Sequence, residues 1–114
     1  MISFVPTTTG NNGTGTAGTY ELGGGTDEVV GSVVFQVTGA SALSAVVKAG
    51  VAGSTQTRQN IQYVNLATGA VQAAGTAVTA DGLYAVFCPG CRVDFVVSAG
   101  TATAVECVSV LGKV

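Results

Sequence analysis

The chain has 114 residues, 47% of them hydrophobic and only 9% charged, with a net charge of −2 and neither histidine nor tryptophan. That length suits one domain around one core. The four basic residues, Lys48, Arg58, Arg92 and Lys113, are too scattered to form the basic stripe that nucleic acid requires, and the lack of histidine removes Ser-His-Asp and Cys-His catalysis.

The apolar content is mostly Val and Ala, beside 17 Gly. Val favours strands because its branched Cβ packs well on a pleated surface. Clustered Gly and Thr break such a chain into turns. An average soluble domain is about 25% charged, so a surface this poor in charge suits one that partners cover. No apolar run approaches the roughly 18 residues of a membrane span. The opening MISFVPTTTG has no basic n-region and no long apolar core, so no signal peptide is expected. The expected setting is the cytoplasm, or an assembly built there.

Residues 7–27, TTTGNNGTGTAGTYELGGGTD, are nearly all Thr, Gly and Asn. Such a stretch buries little and is costly to order. Residues 1–27 therefore read as an N-terminal arm or flexible extension. As an arm it would order against a neighbouring subunit, with Ile2, Phe4 and Val5 as anchors and Tyr20 and Leu22 as secondary contacts. The chain without it is expected to fold, because regular patterning begins near Glu28.

From Glu28 the period-2 alternation of a half-buried strand appears, with Val33, Phe35 and Val37 on one parity and Ser32, Gln36 and Thr38 on the other. ALSAVVKAGV alternates less cleanly, but Gly39, Gly50 and Gly53 around it favour a strand. GSTQTRQ reads as a polar loop. NIQYVNLATGAVQAAG reads as two strands joined at Ala67-Thr68-Gly69. TAVTADGLYAVF holds an Asp81-Gly82 turn followed by a strand. RVDFVVSAG places Val93, Phe95 and Val97 on one parity, and TATAVECVSVLGKV does the same with Val105, Cys107 and Ser109. About seven or eight short strands at roughly ten-residue spacing predict an all-β fold. The expected architecture is one β-sandwich or jelly-roll-like domain over residues 28–114, carrying the Gly/Thr-rich arm.

FCPGCRVDF, residues 87–95, is where chemistry would first be sought. A structural zinc site needs about four N or S ligands, and besides Cys88 and Cys91 the chain offers only Cys107. A redox CxxC wants its first cysteine at a helix N-terminus, whereas a strand pattern follows here. A turn accounts for the stretch more simply. Pro89 presets φ at one position and Gly90 supplies positive φ at the next. Cys88, Pro89, Gly90 and Cys91 are thus expected to form a hairpin turn between two strands. The cysteines at its corners lie close enough for a disulfide, or pack as thiols in a reducing compartment.

The carboxylates Glu21, Asp27, Glu28, Asp81, Asp94 and Glu106 give no calcium-loop pattern and no positive sign of a catalytic pair. GTGTAG and GGGT are glycine-rich, but they lack the strand before, the helix after and the lysine of a phosphate loop. No catalytic residue, metal or cofactor is expected, and the chain is not expected to be an enzyme.

The series GSVVFQVTG, NIQYVNLATGAV, TADGLYAVFCPG, RVDFVVSAG and TATAVECVSVLGKV orders Gly82, Tyr84, Arg92, Val93, Val97, Ser98, Gly100 and Leu111 as G-x-Y … R-V … V-S-x-G … L. Over about residues 28–114 this resembles small bacteriophage virion structural proteins of the capsid decoration (cement) type. The resemblance implies a sandwich or jelly roll that binds a shell as a homodimer or homotrimer. Its partners would be the major capsid protein or other virion proteins, with no nucleic acid and no membrane, and its location the virion. No functional residue carries over one by one, and the cysteine-flanked turn is no part of the pattern. The alternatives are a phage tail, neck or fibre accessory protein and, from another class, a carbohydrate-binding β-sandwich module. The latter usually stacks sugars on exposed aromatic rings; here Tyr20, Tyr63 and Tyr84 are scattered.

Overall fold

The computed structural model describes the backbone of residues 2–8, 18–23, 28–51 and 57–113, and side chains at 18, 19, 22, 32–51 and 57–107. Among the described residues there are nine strands: β1 (Ile2–Thr8), β2 (Gly18–Gly23), β3 (Glu28–Thr38), β4 (Ser41–Val51), β5 (Gln59–Asn60), β6 (Tyr63–Asn65), β7 (Ala70–Gln72), β8 (Gly82–Thr101) and β9 (Ala104–Lys113). All pairings are antiparallel and join one open sheet, along the path β1-β9-β3-β8-β4-β5 with β2, β6 and β7 branching off it. The all-β expectation holds.

The alternations seen in the sequence become the two faces of the strands. Val33, Phe35 and Val37 are buried on β3, Leu43, Ala45, Val47 and Ala49 on β4, and Val93, Phe95 and Val97 on β8. The Tyr63 and Ala70 strands are joined through residues 66–69, where Gly69 takes positive φ of 73°.

The strand β8 organises the sheet. It is 20 residues long. Its first part, to Phe87, lies between β3 and β6. Its second part, from Cys91 onward, lies between β4 and β2. The hairpin expected at FCPGC is therefore corrected. Val30 pairs with Cys91 and Ser32 with Phe87, both antiparallel to the same strand, so the chain does not reverse. Two steps along β3 face four along β8, which makes Cys88-Pro89-Gly90 a bulge. Gly90 does take positive φ, 81°, but it bends one strand instead of joining two. On the other side of β3, Val30 pairs with Leu111 and Ser32 with Val110. Gly31 is thus an extra residue beside the same corner. Bulges in neighbouring strands let a sheet bend sharply.

The bend brings the buried faces of the two parts together. Phe35 of β3 meets Phe95 of the second part of β8 edge to face, with centroids 5.5 Å apart. Phe35 also stacks on Tyr84 at 5.2 Å, and Tyr84 meets Tyr63 at 5.7 Å. Such ring pairs contribute about 0.5–1.5 kcal/mol each beyond the area they bury.

Two strands within the first 27 residues, β1 and β2, belong to this sheet. Ile2 pairs with Val110 and Phe4 with Val108 on β1, and Tyr20 pairs with Phe95 on β2. Leu22 is fully buried, and its carbonyl accepts a hydrogen bond from the Cys107 thiol at 3.4 Å. Regular structure therefore begins well before Glu28. A Gly/Thr-rich stretch can pair through its main chain while offering little hydrophobic pattern.

Away from the corner, Asp81 ties two turns together. Its carboxylate accepts from the backbone N–H groups of Ala40 at 2.7 Å and Gly39 at 3.0 Å. These bonds, Ala40's the stronger influence, hold the Asp81 carboxyl below its ordinary value of 3.8. Gly39 has φ of 68° and leaves room for the Thr103 side chain.

Two outcomes are expected. Replacing Leu22 by Ala should cost about 2–5 kcal/mol in urea unfolding, and removing residues 1–27 should destabilise the chain as well, since Leu22 belongs to the core. A folded-state pKa below the unfolded one means that Asp81 stabilises the fold fully above about pH 4. That contribution should vanish as pH falls through the lowered value, and in Asp81→Ala this part of the acid dependence should be missing from the unfolding midpoints.

Candidate interaction surface

The two parts of the sheet present different outer faces. On the second part, Asp94 is buried although it points away from the core residues Val93 and Phe95. Its carboxylate meets Arg92 Nε at 3.2 Å and Arg58 Nε at 3.6 Å, while Lys48 is its register partner on β4. A buried carboxylate requires such partners. Arg58 lies across Gly50, where a Cβ would come within 2.9 Å of the arginine Cδ. Among the described side chains, this face carries the ion pairs of Asp94 with Arg92 and Arg58.

The first part is different. Its outward positions are Ser32, Val34 and Gln36 on β3, and their register partners Phe87, Ala85 and Leu83 on β8. Val64 on β6 pairs with Ala85, and Val71 on β7 with Val64. Phe87 is 82% exposed, Val71 59%, Leu66 44%, Leu83 41% and Val34 39%. Among the described side chains, one charged group, Glu106, borders these rows, as the register partner of Gln36 on β9. The remaining charged residues with described side chains are Asp81 in its turn and the Lys48, Arg58, Arg92 and Asp94 group. The described side chains thus make an apolar, nearly uncharged sheet face beside the bulged corner.

Sequence reasoning missed Phe87 because it read the residue as the last position before a turn. The signal was present in the parity: Tyr84 and Val86 fall on one side and Leu83, Ala85 and Phe87 on the other. Of the residues assigned to arm contacts, Leu22 is a core residue and not a surface anchor. Ile2, Phe4, Val5 and Tyr20 take their register positions on β1 and β2, but their side chains lie outside the described residues.

Cys88 and Cys91 form a disulfide, with their Cα atoms 5.7 Å apart. It spans the bulge next to Phe87. Among the described residues, no group of three or more His, Cys, Asp or Glu is placed to hold a metal ion. The third cysteine, Cys107, is buried, and burial pushes its thiol up to about 11.

A sequence separation of 3 closes a very small ring, for which chain-entropy estimates give about 2 kcal/mol or less. Cys88→Ser with Cys91→Ser should therefore keep cooperative unfolding, with at most that loss and no response to a chelator. A thiol reagent should find no fast-reacting cysteine in the native oxidised protein and two after reduction. Cys107 should react only on unfolding.

No protein-family model matches the chain, and a search of curated proteins finds no match. Among solved structures, the chain is similar to that described as the crystal structure of SPBc2 prophage-derived protein YomS, with a TM-score of 0.55 and 11% identity, over 85% of this chain and 94% of that one. At that identity the likeness is one of fold.

Proposed function

We propose that this chain is a non-enzymatic structural protein of a bacteriophage particle, of the capsid decoration type, and that the apolar face around Phe87 is one of its docking surfaces. That face carries the reading. Soluble monomers rarely expose contiguous apolar patches beyond a few hundred Å², and here the patch lies on paired strands, which hold it rigid. A fold shared with a prophage-derived protein supports the phage setting. So does a chain with only 9% charged residues.

In this reading the bent sheet works as a jelly-roll-like sandwich, seated over seams between shell subunits. Its partners are the major capsid protein or other virion proteins, and it is assembled into the virion in the host cytoplasm. The mechanism is physical. Each seated copy buries apolar area across a seam and raises the cost of opening the shell, and many seats make modest contacts cumulative. A tail, neck or fibre component would use the same face on another partner. A carbohydrate-binding module is less favoured. Tyr63 and Tyr84 are buried, with hydroxyls donating to the carbonyls of Thr76 and Ala80. Among the described side chains of this face, Phe87 is the one ring beside aliphatic groups, which suits a protein better than a row of sugar rings.

Cosedimentation of the purified protein with separated heads and tails of the encoding phage tests the proposal. Saturable binding to heads is expected. Binding to tails alone would move the protein to the tail, and binding to neither would overturn the structural reading.

A further inference from the structure

The bulged corner holds chemistry that a docking face does not use. We infer that Cys88 and Cys91 are a reversible thiol–disulfide site, and that its state sets the order of the corner beside Phe87. The regulation this gives to docking rests on the structural-protein reading; the exchange site itself does not. Three observations carry the inference.

The first is access. Cys88 and Cys91 are half-buried against the core, Pro89 between them is exposed, and Phe87 before them is 82% exposed. A small thiol can approach the bond from solvent. Cys107 is buried and takes no part.

The second is main-chain pairing. Phe87 is the register partner of Ser32, and Cys91 is that of both Val30 and Val51. Between them, Cys88, Pro89 and Gly90 have no register partner among the described residues. Pro89 has no N–H to donate, and Gly90 sits at φ of 81°. The disulfide is what spans these residues.

The third is ring size. A sequence separation of 3 lets the bond stabilise the fold only slightly. By linkage the fold favours the disulfide over the dithiol by the same small factor, about thirtyfold at most. An exposed bond held so weakly belongs to the labile class that exchanges with a thiol pool.

The chemistry is an exchange with glutathione. Its thiolate attacks one sulfur of the pair and forms a mixed disulfide. The Cys88–Cys91 bond breaks, and its electron pair leaves with the other sulfur, which takes up a proton. A second glutathione thiolate attacks the glutathione sulfur of the mixed disulfide and releases the second protein thiol. One protein disulfide is reduced and two glutathione thiols are oxidised to glutathione disulfide. In the reading above, the chain is made in a reducing cytoplasm and leaves it on a released particle. The corner is then loose while the protein seats, and stiffens after release.

Glutathione buffers of varied thiol-to-disulfide ratio test the site, with acid quenching, alkylation and intact mass to read its state and NMR amide exchange to read the corner. The wild type should pass from disulfide to dithiol across the series. On reduction, amides at the flanking positions Val30, Ser32, Phe87 and Cys91 should exchange about three- to thirtyfold faster. Those of Val46 and Val96, paired away from the bulge, should not change. Cys88→Ser with Cys91→Ser should match the reduced wild type in every buffer. A pair that stays disulfide in millimolar reduced glutathione, or corner exchange that reduction leaves unchanged, overturns the inference. Cosedimentation of both forms with phage heads then reads the regulation. Binding that differs between the forms supports it, and equal binding overturns the regulation alone. Binding by neither form overturns the structural-protein reading, while titration and amide exchange still decide the site.

Discussion

One continuous strand holds this protein together. β8 supplies main-chain partners to β3 and β6 before Phe87 and to β4 and β2 after Cys91. Both parts of the sheet therefore depend on a single run of hydrogen bonds. The bulge at Cys88-Pro89-Gly90, with Gly31 beside it on β3, lets that run change direction without ending. Without the bend, Phe35 and Phe95 would lie on one flat surface and the core would have one wall. The disulfide holds the corner that makes two walls from one strand.

The bend also divides the labour of the outer faces. On one, Asp94 is paired with Arg58 and Arg92. On the other, Val34, Leu83, Phe87 and Val71 leave apolar area in water. A chain with so few charges cannot cover every surface with them. It concentrates ion pairs where a carboxylate is buried and leaves a neighbouring face apolar.

Much of the fold was legible because strand parity is a robust signal. Val33-Phe35-Val37, Leu43-Ala45-Val47 and Val93-Phe95-Val97 each became buried rows. What failed was the meaning of irregular positions. Pro-Gly between cysteines marks a local φ requirement, and both a hairpin and a bulge satisfy it. Only long-range pairing with Val30 and Ser32 separates them. Leu22 failed differently: one leucine among Thr and Gly carries no periodicity, so its burial depends on where β2 docks against β8. The candidate surface was half legible. Its residues alternate visibly, but which of two apolar faces points to solvent is decided by the bend, and no local pattern encodes that.

The place of β3 has a consequence during synthesis. Its two neighbours, β8 and β9, begin at residues 82 and 104, far downstream. At about 5–20 residues per second, the Val-rich β3 waits several seconds on the ribosome before either partner emerges. Through that interval its two unpaired edges are those of a strand prone to join other chains. Nascent chains of this protein thus have a window of vulnerability that the finished molecule lacks, and it closes only when β8 and then β9 are laid on either side.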